Sequence, residues 1–496
     1  VTILAAVLRL STLNVQSFWF DEAFTPVHVL HPSLWATLRG IGRTENTPPL
    51  WYLLAWGDSR VLGTGEIALR LPTALAGIAT VPVAWAIGRE LSGARTALVC
   101  AVFVAVNPLF VWYSQEARAY GLSVLTGALA MLCFLRLLKE PTRRRAWAFA
   151  LTGSLALLSH YFTVFILIPM ALWLLWERRT RKVALPVIAV IGLVGAALVP
   201  LVLAQGGQNT QWIGEWPLRQ RLEAIPQYYL TGYSGGALGR RAELLVALPI
   251  LAALAFGCWR MIGRARRHVG TVDGGVAAAS AGPSRVLDAV ERRSLVLTFS
   301  IAACGVLIPI VMVGAGADYL APRNLVAAMI PVATLIALVT VWPGTGRVGI
   351  ALAAAIALAG LAISVDVNLS PSLQRSNWRE LAKTLRSGPP DRVITTVELG
   401  SAPLQYYLPG LRLHNLRTGG SALVRQIDET GYEPFRTSAG TPPAPGFHLL
   451  SHVQVDGVAV YRFVSPIPRR VSEAVLRRHV ITVAGSEVLV PAGSHE

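Results

Sequence analysis

Apolar runs recur along most of the chain, at about residues 66–88, 95–113, 120–138, 146–160, 161–176, 183–204, 242–259, 294–315, 325–342 and 347–364. Each approaches the roughly 20 residues a helix needs to cross the hydrocarbon of a bilayer. With a shorter first run, Val1–Leu13, the pattern predicts about eleven crossings. No soluble core could bury so much apolar surface: of 496 residues, 53% are hydrophobic and only 14% charged. A polytopic α-helical membrane protein is therefore expected. The first run leads into acidic and aromatic residues and not into a small-residue cleavage site, which predicts an uncleaved anchor.

A net charge of +17 would point to nucleic acid in a soluble protein, but here the basic residues sit in short clusters between apolar runs. Those clusters are Arg89 and Arg95; Lys139 with Arg143, Arg144 and Arg145; Arg178, Arg179, Arg181 and Lys182; Arg260, Arg264, Arg266, Arg267, Arg292 and Arg293; and Arg347. All fall in alternate loops, which the positive-inside rule assigns to the cytoplasm. No nucleic-acid partner is expected, and membrane lipids are.

The other loops then face outward, and the unusual polar residues gather there. Directly after the first run comes Phe18-Trp19-Phe20-Asp21-Glu22-Ala23-Phe24-Thr25, two carboxylates among aromatics. Asp21 and Glu22 at a membrane boundary suit a base acting on a lipid-borne molecule, or they face water while the aromatics anchor the helix end. Residues 14–65 form the first outer loop, with a surface helix expected from the spacing of Val27, Leu30, Leu34 and Leu38. It ends at Thr44-Glu45-Asn46-Thr47-Pro48-Pro49-Leu50-Trp51-Tyr52, where paired prolines stiffen the return to the interface. Further outward positions are Arg70 near the start of the 66–88 run, Ser114-Gln115-Glu116-Ala117-Arg118-Ala119-Tyr120, His160-Tyr161, the 205–241 loop and Asp318-Tyr319-Leu320-Ala321-Pro322-Arg323-Asn324. An outward-facing active site accounts for such one-sidedness better than a structural role does.

Two regions differ in composition. Residues 261–293, rich in Gly, Ala, Ser and Arg, are expected to be a flexible cytoplasmic linker. The division expected is a transmembrane catalytic domain over 1–365 and a small extracytoplasmic α/β domain over 366–496 that ends in a polar tail. In the latter, Trp378–Leu385 has a helical pattern, 392–397 reads as a strand, and short strands are expected around 411–416, 447–453 and 457–464. Cys100, Cys133, Cys258 and Cys304 lie in or at the ends of apolar runs without metal spacing, so neither disulfides nor a zinc site is expected.

Taken in order, the motifs Phe20-Asp21-Glu22-Ala23, Pro48-Pro49-Leu50-Trp51-Tyr52, Ala68-Leu69-Arg70-Leu71-Pro72, Ser114 to Tyr120, His160-Tyr161 and Pro322-Arg323-Asn324-Leu325 resemble bacterial membrane glycosyltransferases of the GT-C superfold. These enzymes are related to protein O-mannosyltransferases and lipid A aminoarabinose transferases. Asn377-Trp378-Arg379-Glu380-Leu381-Ala382 is similar to the C-terminal region of some members. The resemblance covers residues 1–364 well and the outer domain weakly. It implies a GT-C-like membrane domain in the cytoplasmic membrane, a sugar donor carried on a polyprenyl phosphate, and transfer with inversion on the outer face. Many relatives carry His-Pro-Pro where this chain has Thr47-Pro48-Pro49, so the role of that His does not carry over.

Transfer from a phosphate needs one base to deprotonate the attacking hydroxyl and a cation to stabilise the leaving phosphate. The resemblance assigns Asp21 as that base, with Glu22 supporting the loop or contacting the acceptor. Arg323 suits a phosphate clamp at a helix start, or else snorkels to headgroups. Glu116 either orients the sugar or forms an ion pair with Arg118 within the loop. Asn46, Arg70, Arg118, Tyr120, His160 and Tyr161 complete the expected substrate-binding set. Arg70 also has a reading as an interfacial anchor, and His160 as a packing residue. Trp212, Trp216, Tyr228 and Tyr229 either stack on sugar or lipid or anchor the loop at the interface.

No cofactor is obligatory on this reading. A cluster of Asp21, Glu22 and Glu116 could collect a divalent cation, though no spacing compels it. The acceptor could be protein, lipid or glycan, and mannose is only the commonest donor sugar among relatives. The competing function is a transporter or flippase of a lipid-linked glycan. It should show repeated halves and broken helices with midplane polar residues, and no convincing repeat is present.

Overall fold

A computed structural model describes residues 1–494 apart from 207–209, 234–239, 270–282, 434, 437, 480 and 483–485. The chain divides into two compact units. One comprises Val1–Leu13 and Leu34–Leu369, the other Asn14–Ser33 and Ser370–Glu496. The sequence boundary at 365/366 thus lies four residues from the observed one, while Asn14–Ser33 groups with the C-terminal residues and not with the membrane helices.

The first unit is helical and belongs to a multi-pass membrane protein. Among the described residues seven helices are long and apolar enough to cross a bilayer: Glu66–Ser92, Tyr120–Lys139, Arg178–Gln205, Arg241–Arg260, Glu291–Gly314, Pro322–Thr340 and Gly346–Leu369. The bent pair Ala94–Val106 and Pro108–Ser114 makes an eighth if it is one broken span and not a re-entrant loop. The expected count of about eleven also drew on three runs that form shorter helices, Thr2–Leu10, Arg143–Ser159 and Val164–Trp176.

The bent pair has a local cause. Pro108 has no N–H to continue the first helix, and the Asn107 side chain caps the second by accepting from the N–H groups of Leu109 at 3.0 Å and Phe110 at 3.3 Å. The helix turns by 57° there. Its last carbonyls lose their intrahelical partners, and fully buried Arg9 meets that need by donating to Val104 O and Ala105 O, each at 2.9 Å. A basic side chain thus lies in the helical core with its donors satisfied.

Two sequence expectations fail in the connecting segments. Val27, Leu30, Leu34 and Leu38 do not share one helix: a short α-helix, Phe20–Phe24, passes into a π-helix, Thr25–Val29, and a separate helix spans Leu34–Thr44. Pro32 disfavours helical backbone at His31, which ends the first element. The flanks of the expected linker at 261–293 are also helical, since Arg240–Val269 and Pro283–Gly314 extend into it; residues 270–282 lie outside the described set.

The second unit is a six-stranded sheet: β1 (Arg392–Val397), β2 (His414–Asn415), β3 (Ser421–Gly431), β4 (His448–Val455), β5 (Val458–Ser472) and β6 (Ser486–Val490). The order is β2-β6-β1-β3-β5-β4, with β1 parallel to β3 and the other pairs antiparallel. Central β1 is buried throughout. One face packs against the helix Trp378–Arg386, whose Trp378, Leu381, Ala382 and Leu385 form its buried side and whose start Asn377 caps by accepting from Glu380 N. The residues expected to be a polar tail include β6, which pairs with β1 near the centre of the sheet.

The sequence reading also missed β3, because Arg425, Gln426, Asp428 and Glu429 interrupt its apolar pattern. Asp428 is fully buried yet accepts from Arg392 (3.4 Å), Arg462 (2.8 Å) and Gln426 (2.8 and 3.0 Å). A buried carboxylate with that many donors is sustainable in a central strand.

Candidate active site

In the first unit the candidate residues converge on the loops at the ends of Glu66–Ser92, Pro108–Ser114, Tyr120–Lys139 and Arg143–Ser159. Thr73, one turn beyond Arg70, donates its hydroxyl to Arg70 O at 2.8 Å and Glu116 O at 2.9 Å, joining two of these loops. Gly121 allows this approach: a Cβ there would stand 3.0 Å from Tyr113 O and 3.1 Å from Thr73 O. Arg70 is buried and donates to Leu13 O at 2.7 Å, so it fastens the end of the first run.

Arg118 forms an ion pair with Glu45 at 2.9 Å; both side chains are almost wholly buried. Its guanidinium lies 5.9 Å from the centre of the Tyr52 ring. The Tyr52 hydroxyl donates to the same Glu45 oxygen and lies 2.9 Å from the Thr47 hydroxyl. Burial raises the Tyr52 phenol well above its ordinary value, opposed by Arg118 and aided by Glu45, so it remains a donor. Gln205 closes the loop by donating to Ile41 O and Thr47 O, each at 3.1 Å, while accepting from the Tyr161 hydroxyl at 2.8 Å. Thr47 thus helps to hold this network together. Asn46, between Glu45 and Thr47, is half-buried.

Tyr120 bridges to the remaining candidates, its ring centre 4.7 Å from that of Tyr113 and 5.7 Å from that of His160. His160 ends one helix and starts the next turn, accepting from Phe162 N through Nδ1 at 3.3 Å. Its Nε2 is buried without a hydrogen-bond partner among the described residues.

Arg323 starts the 3₁₀ turn Pro322–Ala328 that enters a membrane helix, and its guanidinium lies 4.5 Å from the ring centre of Trp212. The turn is pinned on both sides. Arg221 binds Asp318 through two bonds, 2.5 and 2.8 Å, and also donates to Leu320 O at 3.1 Å. The Tyr229 hydroxyl donates to Leu325 O at 2.7 Å. Of the aromatics in the 205–241 segment, Tyr229 is therefore a packing residue of this turn, beside Ile225, Leu320 and Leu325.

Asp21 and Glu22 lie in the second unit, in the first turn of Phe20–Phe24, where a helix N-terminus favours negative charge. Glu22 is buried and its Oε2 accepts from Trp19 N at 3.5 Å, satisfying the N–H that precedes the helix; Asp21 is half-buried. The flanking aromatics pack inside this unit: Phe18 N donates to the Tyr407 hydroxyl at 2.7 Å, and Trp19 and Phe20 lean on the core around Trp378 and Ile394.

Glu45, Tyr52 and Gln205 were not among the residues expected in the site. Glu45 carried one usable signal, a lone carboxylate immediately before the Pro48-Pro49 turn.

Residues 46–203 match the dolichyl-phosphate-mannose-protein mannosyltransferase family. The resemblance read from the motifs holds over that stretch, which is less than half of the chain. The mannosyltransferase match contains Asn46, Arg70, Glu116, Arg118, Tyr120, His160 and Tyr161, and ends before Arg323. No curated protein matches the chain in sequence. Among solved structures, ArnT from Cupriavidus metallidurans bound to undecaprenyl phosphate is similar at 11% identity and a TM-score of 0.49, over 93% of this chain and 96% of that one. The Archaeoglobus fulgidus oligosaccharyltransferase in complex with Zn and sulfate is similar at 15% identity and a TM-score of 0.47, over 82% of this chain and 56% of that one. The chain therefore spans little more than half the length of that oligosaccharyltransferase.

Proposed function

We propose that this protein is an inverting glycosyltransferase that moves a sugar from a polyprenyl-phosphate donor to an acceptor hydroxyl on the outer face of the cytoplasmic membrane. The observation that carries the reading is the mannosyltransferase match over residues 46–203, because it contains most of the buried polar residues that meet around Arg118 and Tyr120. In the proposed step a carboxylate, assigned to Asp21, takes the proton of the acceptor hydroxyl. The oxygen attacks the anomeric carbon, and the bond from that carbon to the phosphate oxygen breaks with inversion. Phosphate leaves with its electron pair without needing an acid, so the charge on it must be met by cations. Arg323 is the proposed clamp, with a planar fork suited to two phosphate oxygens. Burial gives Arg118 and His160 the fixed geometry that sugar recognition requires.

The test is transfer of radiolabelled sugar from a panel of polyprenyl-phosphate sugars by the purified protein, with and without chelator, beside Asp21→Asn. Asn keeps the size and removes the basicity, so turnover should fall on the order of a hundredfold or more while the protein stays folded. An Asp21→Asn enzyme that turns over like the parent would remove Asp21 from the base role. A parent that consumes no donor but moves lipid-linked sugar across vesicles would establish the transporter instead.

A further inference from the structure

The buried guanidinium of Arg9 does more than close the broken helix. Beside its bonds to Val104 O and Ala105 O at the end of Ala94–Val106, its Nε donates to the Ser114 hydroxyl at 3.1 Å, at the far end of Pro108–Ser114. A bond from Nη1 to Ala5 O at 3.3 Å holds the same side chain against its own helix, Thr2–Leu10. One planar group thus grips both halves of the bent pair, and the rigid fork of the guanidinium fixes their relative placement. The Ser114 hydroxyl completes the link by donating to Phe110 O, inside the second half. The neighbouring helix Glu66–Ser92 leaves room for this contact: a Cβ on Gly77 would overlap Ser114 Oγ and stand 3.0 Å from Arg9 Nε. Ser114 is also the first residue of the polar motif that carries Glu116, Arg118 and Tyr120. That motif has other fastenings, Gln115 Nε2 on Leu8 O and Thr73 Oγ1 on Glu116 O, each at 2.9 Å. Those tie it to neighbouring elements, whereas Arg9 ties its base to the helix before the break.

From this geometry we infer that Arg9 is a positioning residue for recognition of the donor sugar: by joining the two halves of the bent pair it sets where the motif from Ser114 to Tyr120 meets the sugar of a polyprenyl-phosphate donor. The inference rests on the glycosyltransferase reading and adds to it a residue outside the 46–203 match. The Arg323 turn is pinned separately, by Arg221 on Asp318 and by Tyr229 on Leu325 O. Loosening the Arg9 link therefore weakens the hold on the sugar more than the hold on the carrier phosphate.

The experiment uses the purified full chain in detergent and compares KM and kcat for the polyprenyl-phosphate sugar that the parent consumes with equilibrium binding of undecaprenyl phosphate, which has no sugar. Ser114→Ala removes one bond of the link and keeps every charge. It should raise donor KM about three- to tenfold, more than it lowers kcat, and leave undecaprenyl phosphate binding and the melting temperature near those of the parent. Arg9→Lys keeps the charge, but one nitrogen in place of a fork cannot hold both halves, so the same split between donor and carrier is expected. Ser114→Ala in the Arg9→Lys background should add almost no further loss, because the link is already broken. A parental donor KM in Ser114→Ala, an equal loss of donor and undecaprenyl phosphate, or full additivity of the two changes overturns the positioning role and leaves the glycosyltransferase reading intact. A parent that consumes no donor overturns both.

Discussion

At the scale of single residues, the first unit contains a buried ion pair that joins two loops far apart in sequence. Glu45 sits 2.9 Å from Arg118 with the Tyr52 hydroxyl on the same oxygen, and both charged side chains are nearly excluded from solvent. Such a pair contributes modestly to net stability, but removing one partner takes a counter-charge from the other in a low dielectric. Glu45→Gln should therefore destabilise the protein by about 3 kcal/mol, read as a lower melting temperature in detergent. The double variant Glu45→Gln/Arg118→Met should recover much of that loss, since neither charge then remains. Equal melting of parent and Glu45→Gln would show that solvent reaches the pair. Arg118 stood out in the sequence because it lies in a dense polar motif between apolar runs. Its partner did not, since Glu45 is 73 positions away and no local pattern links the two.

Between elements, the second unit carries a pH-sensitive tie. His479, just past the helix Glu473–Arg478, places Nδ1 2.8 Å from Glu429 of β3 and Nε2 3.0 Å from the Thr441 hydroxyl, which itself donates to Ser438 O. With the Thr441 hydroxyl donating to Ser438 O, Nε2 is placed to donate to Thr441, and a protonated ring would donate to Glu429 as well. The Glu429 hydrogen bond raises His479 above its ordinary 6.5, and burial raises Glu429. Both shifts act in one sense: folding favours the protonated groups. The contribution of His479 is complete below about 6.5 and is lost as pH rises through its folded value. Thermal melting of the second unit should thus fall between about pH 6 and pH 9. His479→Gln should flatten that part of the profile, and a parent profile already flat there would refute the tie.

The same scale shows why some elements were readable and others not. Trp378–Arg386 and β1 carry uncomplicated apolar periodicity and were placed from it. β3 was missed because its buried charges look like a surface segment until Arg392 and Arg462 are brought to them. The bend at Asn107-Pro108 was hidden inside a continuous apolar run, since hydropathy cannot distinguish a straight crossing from a broken one.

For the whole molecule, the division into units cuts across chain order, because Asn14–Ser33 belongs with Ser370–Glu496. Ser17 alone makes two bonds to that unit, accepting from Trp378 N at 2.9 Å and donating to Ser376 O at 3.2 Å. Phe18 packs edge-on against Tyr406 with ring centres 5.1 Å apart. A fragment of residues 370–496 should therefore be less stable than one with residues 14–33 fused to it through a flexible linker. Limited proteolysis and thermal melting of the two fragments measure the difference; identical behaviour would mean that the segment is a passenger on the fold.

The sequence by itself determined that this is a helical membrane protein with a small α/β unit, since apolar run length and strand alternation are local properties that the solvent reads directly. It also marked Arg118, Tyr120, His160 and Arg323 as unusual, through polar residues at the ends of apolar runs. Only the tertiary structure decided that Glu45 neutralises Arg118, that Trp212 lies beside Arg323, that Arg9 closes the broken helix and that the Asp21 segment folds with the C-terminal sheet. Each of these joins groups distant along the chain. The energy that selects such a pairing, desolvation of a charge or burial of an aromatic face, exists only once packing has brought the partners together.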